Sequence, residues 1–66
     1  MTSDCKCLFD VVTAVEFFFP AYNYSPTFDV RLDLIKKFHA HALDLKMDLS
    51  KIVFMVEGYC QELTNS

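Results

Sequence analysis

The sequence is poor in the residues that build catalytic loops. It contains one glycine and no tryptophan among 66 residues. A phosphate-binding loop needs several glycines, so that the backbone can wrap around the anion, and Gly58 alone cannot supply one. A glycine-bearing oxyanion loop is also missing, and so short a chain cannot enclose a pocket that excludes water. We therefore predict no enzymatic activity, no catalytic residue and no cofactor.

Cysteine and histidine are few, and their spacing does not suit a metal ion. Cys5 and Cys7 form one pair two residues apart, and His39 and His41 form another. Residues two apart on a helix point about 200° from each other, so neither helical pair can share a tetrahedral site. Zinc would need an extended N-terminus folded onto one histidine and Cys60. No metal site is predicted.

The chain also lacks the marks of export or of a membrane anchor. Its first four residues carry none of the positive charge that opens a signal peptide. The apolar run over 7–19 contains Asp10 and Glu16 and is too short to cross a bilayer. Three cysteines cannot all pair with one another, and an odd number indicates free thiols in a reducing compartment. These features predict a cytoplasmic protein.

Positive charge is scarce, and it is concentrated in one part of the sequence. Six basic residues stand against nine acidic ones, for a net charge of −3. This balance gives no overall cationic field to attract nucleic acid or a membrane surface. Five of the six basic residues are interleaved with aspartates in the middle of the chain: Arg31, Lys36, Lys37, Lys46 and Lys51. This pattern is typical of a solvated face of mixed charge.

Apolar residues, by contrast, are abundant for a chain of this length. They make up 53% of the sequence, and aromatic residues make up 15%. A chain this short keeps much of its surface in water, so its own core cannot easily hide so much apolar material. We expect the chain either to self-associate or to keep apolar surface for a partner.

The periodicity predicts one all-α domain over 1–66, a small three-helix bundle with helices at about 4–19, 27–46 and 50–63. Thr2, Ser3 and Asp4 are suitable N-caps for the first helix, and Pro20 is expected to end it. The segment 20–26 is the linker. Ser50 or Asp48 is expected to cap the third helix, whose apolar residues cover more than half of its circumference and favour dimerisation through it.

Residues 27–32 allow two interpretations. The pair Ser25-Pro26 is typical of an N-cap followed by the first helical residue, which favours a helix. That helix would bury one face, and would place Arg31 within it, where the arginine would have to pair with a carboxylate or reach solvent. The face consists of Phe28, Leu32, Ile35, Phe38, Ala42 and Leu45. Apolar and polar residues also alternate over 27–34, which favours a short strand.

Three phenylalanines stand in otherwise polar stripes of their helices. Phe9 and Phe17 oppose the apolar face of the first helix, and Phe54 shares its stripe on the third helix with Gln61. Another part of the chain could cover these rings, or they could serve as aromatic anchors for a partner. We predict that the chain is a non-catalytic protein-binding module, in which Phe9, Phe17, Phe54 and Gln61 bind the partner. Such a module would be an adaptor, or an inhibitor of a larger enzyme or complex, as small acidic proteins of phage and mobile elements often are.

The alternative prediction is a DNA-binding regulator. From Phe28 onward, the sequence has an alternating segment, a predicted helix over 33–47 and the turn Asp48-Leu49-Ser50-Lys51. In this arrangement, residues 28–63 resemble ribbon-helix-helix repressors of the Arc/MetJ type. The resemblance implies an intertwined dimer with a two-stranded ribbon in the major groove. It also implies phosphate contacts at a helix N-terminus. The implied DNA-binding residues are Thr27, Asp29, Arg31, Ser50 and Lys51.

Overall fold

The computed structural model describes the backbone of residues 3–65 and the side chains of residues 6–65. Three helices follow one another: α1 (Ser3–Ala21), α2 (Phe28–Asp44) and α3 (Leu49–Thr64). The predicted all-α three-helix bundle is confirmed, with boundaries that differ from the predicted ones by a few residues at most. The alternative strand over 27–32 is not formed, and residues 3–65 contain no strand. Thr2 lies outside the described residues.

Helix α1 continues past the proline that was expected to end it. Pro20 lies in the last turn, where its missing N–H removes only one hydrogen bond of the helix. The chain then closes the helix end with two bonds, from the Tyr24 amide to the Phe19 carbonyl (2.8 Å) and from the Asn23 amide to the Pro20 carbonyl (3.0 Å). Asn23 has a φ of 57°, which completes a Schellman motif. The predicted end at residue 19 was therefore too early.

Helix α2 begins at Phe28 because Thr27 is its N-cap. The Thr27 hydroxyl accepts a hydrogen bond from the Val30 amide (3.4 Å), and the Thr27 carbonyl accepts one from the Arg31 amide (2.9 Å). The prediction that Ser25 caps this helix was wrong. Arg31 donates to Glu16 on α1 across 3.1 Å, so its charge meets a carboxylate near the surface. This ion pair removes the main objection to a helix in this segment.

The turn between α2 and α3 is a second Schellman motif. The Met47 amide donates to the Ala42 carbonyl (2.9 Å) and the Lys46 amide to the Leu43 carbonyl (3.3 Å), with Lys46 at a φ of 52°. Helix α2 therefore ends at Asp44 and not at residue 46. Asp48 then caps α3, because its side chain accepts a hydrogen bond from the Lys51 amide at 3.0 Å.

Helix α1 forms the centre of the bundle. It packs along both α2 and α3, whereas α2 and α3 contact each other only sparsely. Five large side chains are fully buried: Val11, Val15, Ile52, Val56 and Cys60. Aromatic rings pack next to the segment that joins α1 and α2, where Phe19 meets Tyr24 at a centroid distance of 4.9 Å. Further along the bundle, Phe38 of α2 meets Tyr59 of α3 at 5.4 Å. The sparse α2–α3 contact leaves a groove between these two helices.

No helix within the described part of the chain is long and apolar enough to cross a membrane.

Candidate functional site

Two of the predicted anchor residues lie on the outer face of α1. Phe9 is 69% exposed and Phe17 is 67% exposed, so most of each side chain is in contact with solvent. The Phe17 ring meets the neighbouring Phe18 ring edge-on, at a centroid distance of 5.0 Å. The two residues are separated by about 12 Å along the helix axis and by about 80° around it. Exposed Thr13 lies between them. We call Phe9, Thr13 and Phe17 the α1 stripe.

The third predicted anchor lies on α3. Phe54 is 78% exposed and points away from the buried residues Ile52 and Val56 of its own helix. Gln61, two turns further along, donates a hydrogen bond to the Tyr22 hydroxyl at 3.4 Å. The structure therefore distributes the four predicted residues over two helices. Their role in binding a partner stays a prediction.

An apolar groove lies between α2 and α3, next to a hollow that Phe54 lines. The groove has a volume of about 490 Å³. An adjoining hollow of about 400 Å³ lies under Phe54 and shares Met55 with the groove. We call the larger depression the α2–α3 groove; it is lined by Lys37, Phe38, His41, Met55, Gly58, Tyr59 and Glu62. The hollow is lined by Leu45, Met47, Lys51, Phe54 and Met55.

Gly58 opens the wall of the groove on the α3 side. A Cβ atom added to Gly58 would meet nothing within 4 Å. Glycine inside a helix costs about 1 kcal/mol relative to alanine, so this residue weakens α3. Packing within the protein does not require glycine here, because a larger residue would fit. The consequence of Gly58 is a gap in the outer surface of α3, one turn from Phe54.

The sequence interpretation missed several exposed apolar residues, including three of the six on the predicted buried face of α2: Phe28, Leu32 and Leu45. Phe28 is 72% exposed and Leu45 is 56% exposed, although the helical wheel places both on the buried face of α2. They lie at the two ends of that face, where α1 and α3 no longer cover it. A wheel gives the direction of a side chain, and it does not give the length of the neighbouring helix. No signal in the sequence would have identified them.

The residues of the alternative DNA-binding prediction lie at the starts of α2 and α3. Thr27 caps α2 and Asp29 is exposed in its first turn. Arg31 is held by Glu16, as described above. Ser50 and Lys51 are exposed in the first turn of α3, where the Asp48 carboxylate already occupies the Lys51 amide. DNA contact by these residues stays a prediction.

Two groups near the core have shifted pKa values. Burial, followed by the negative charge of Glu57, raises the pKa of the Cys60 thiol. Burial also raises the pKa of Tyr59, with a further contribution from its hydrogen bond with Tyr24. A thiol that keeps its proton is a weak nucleophile. We therefore interpret Cys60 as a residue that packs in the core.

A further hollow of about 550 Å³ lies between α1 and the α2–α3 turn. Its charged lining includes Lys6 and Asp10, which form an ion pair at 3.3 Å. Among the residues whose side chains are described, no group of three or more histidine, cysteine or acidic residues could hold a metal ion. The exposed hydrophobic residues on α1, α2 and α3 are thus the features that the core leaves unexplained. Comparison with protein-family models, curated protein sequences and solved structures finds no match for this chain.

Proposed function

We propose that this chain is a non-catalytic protein-binding module, a small adaptor or an inhibitor of a larger enzyme or complex. We place it in the cytoplasm, because the buried free thiol of Cys60 is typical of a reducing compartment. Phage and mobile elements encode many small acidic proteins of this kind, and we propose such an origin by analogy of size and charge.

The exposure of the phenylalanines supports this proposal. Phe9, Phe17 and Phe54 are each more than 65% exposed, while Phe19 and Phe38 are buried in the core. Full burial of one phenylalanine side chain is worth about 1.5–3 kcal/mol. The free chain leaves most of that free energy unused at three positions. A partner that covers these rings would gain it, and buried aromatic residues commonly dominate the binding energy of protein interfaces.

The charge of the chain supports a protein partner with a basic surface. The net charge is −3, and each of the three helices carries an exposed carboxylate, among them Glu16, Asp29 and Glu62. The negative electrostatic field of this chain would increase the rate at which it associates with a basic protein surface, and that rate would depend on salt concentration. An inhibitor that occupies the nucleic-acid-binding surface of an enzyme would have this combination of acidic charge and aromatic anchors.

The test is capture of a binding protein by the immobilised chain from an extract of the source cell, followed by affinity measurement with the purified partner. Aspartate substitutions at Phe9, Phe17 and Phe54 are compared with Ala40→Asp, which adds the same charge at an exposed position of α2. We expect at least one phenylalanine variant to weaken binding by roughly 30-fold or more, as for interface hot spots. Ala40→Asp should bind like the unmodified chain.

Far-ultraviolet circular dichroism controls for folding, since all four variants should keep the helical signal. Equal affinity of all three phenylalanine variants and the unmodified chain would refute the proposal. The DNA-binding alternative is measured in parallel with duplex DNA. Affinity that falls steeply as salt concentration rises, and that Lys51→Ala weakens, would favour this alternative.

A further inference from the structure

We propose that the surface around Phe54 binds a second copy of this chain, with the two α3 helices antiparallel and each Phe54 ring placed beside Gly58 of the other copy. This inference rests on the proposed function, because it takes Phe54 as a binding residue and assigns its partner. The contact would be symmetric, so that each interaction occurs twice.

Residue spacing on the outer face of α3 fits such a contact. The face carries Lys51, Phe54, Gly58 and Gln61, at intervals of three, four and three residues. Side chains at this spacing follow one another along a single side of a helix, as in helix pairs that pack along their length. Because a Cβ on Gly58 would meet nothing, the other helix can approach closely at this point.

The α2–α3 groove is large enough for the incoming ring. Its volume of about 490 Å³ exceeds the roughly 150 Å³ of an engineered cavity that binds benzene. The rings of Phe38 and Tyr59 and the thioether of Met55 line it. Aromatic and sulfur groups make favourable contacts with a phenyl ring. A phenylalanine that is 78% exposed in one copy would thereby be covered in the pair.

Charges along α3 favour the antiparallel direction. An arrangement that sets Phe54 opposite Gly58 also sets Lys51 opposite Gln61, and therefore next to Glu62 of the other copy. Two lysine–glutamate pairs flank the two rings in this arrangement. A parallel symmetric pair would instead place Lys51 against Lys51 and Phe54 against Phe54. Like charges in direct opposition destabilise a pair of helices, so the antiparallel direction is preferred.

The pair has room for an interface of ordinary size. One chain exposes 4714 Å², and a standard interface of about 800 Å² per partner would take roughly a sixth of it. Leu45, which is 56% exposed, and Met47 line the hollow under Phe54 and add apolar area beside it. The α1 stripe lies on a different helix from this interface, so the dimer would present two such stripes, one on each copy. Two linked copies would bind a repeated target more tightly than one.

Sedimentation equilibrium of the purified full chain, over a concentration series, tests the pairing. We expect the unmodified chain and Gly58→Ala to form dimers, since a single methyl group leaves most of the gap open. Gly58→Gln fills the gap, and Phe54→Asp removes the ring and adds charge. Each should raise the dimer dissociation constant by roughly 30-fold or more. Both should keep the helical signal of the unmodified chain, because neither side chain contributes to the core.

A charge exchange tests the register. Lys51→Glu should weaken the dimer, and the double substitution Lys51→Glu with Glu62→Lys should restore most of its affinity. A monomer at every concentration would overturn the inference. So would a dimer that Gly58→Gln and the charge exchange leave unchanged. Neither result would affect the proposed function, since capture through Phe9, Phe17 or Phe54 is measured separately; a monomer that still needs Phe54 for capture would assign this surface to another protein.

Discussion

Truncation of Val11 should destabilise the protein more than truncation of Phe9, although Phe9 has the larger side chain. Both residues lie on α1, two positions apart. Val11 is fully buried, whereas Phe9 is 69% exposed. Val11→Ala removes two methyl groups from the core, worth about 1.6 kcal/mol of transfer free energy, and leaves a cavity that adds to the cost. We expect a loss of about 2–3 kcal/mol in the free energy of unfolding. For a chain of this length, that is a large part of the total stability.

Phe9→Ala removes the six carbons of the ring but should cost at most about 0.5 kcal/mol in the free energy of unfolding. Less than a third of Phe9 is buried, so truncation loses about 0.5–1 kcal/mol of burial. Alanine regains about 0.5 kcal/mol, because it has the higher helix propensity. Urea unfolding followed by far-ultraviolet circular dichroism measures both variants. A Phe9→Ala loss equal to that of Val11→Ala would show that Phe9 belongs to the core, and would refute the reasoning.

Three further predictions concern local structure and titration. Lys46→Gly should raise the unfolding free energy by about 0.5–1 kcal/mol, because Lys46 has a positive φ that glycine adopts without strain; an unchanged or lower melting temperature would contradict this. Asp48→Ala should lower the unfolding free energy by about 1 kcal/mol, through loss of the α3 N-cap, and Asp48→Asn should retain most of the stability of the unmodified chain. Stability should fall as pH rises above about 9, because the unfolded chain then releases the protons of Cys60 and Tyr59 before the folded chain does; denaturant midpoints that stay level to pH 11, a range of about two units, would contradict the raised pKa values.

The main features of the fold could be predicted from the sequence, because hydrophobic periodicity is a local property. The stripe of Val11, Val15 and their neighbours identified α1, and the interval from Ile52 to Val56 and Cys60 identified α3. The exposed positions of Phe9 and Phe17 follow from the same wheel, since α1 buries only one side.

The features that could not be predicted depend on contacts between helices. The choice between helix and strand at 27–32 depends on Thr27 as a cap and on the Arg31–Glu16 ion pair, which joins residues 15 positions apart. The exposure of Phe28 and Leu45 depends on where α1 and α3 end. The α2–α3 groove exists because α1 separates the other two helices, and periodicity within α2 or α3 carries no information on this arrangement.

The exposure of the phenylalanine rings in the free protein tests the central claim most directly. A soluble paramagnetic probe, added to a dilute sample, broadens the nuclear magnetic resonance signals of rings that solvent reaches. The ring signals of Phe9 and Phe17 should broaden strongly, while those of Phe19 and Phe38 in the same molecule stay sharp. Equal protection of all four rings would contradict the claim that this chain keeps aromatic side chains outside its core for a partner.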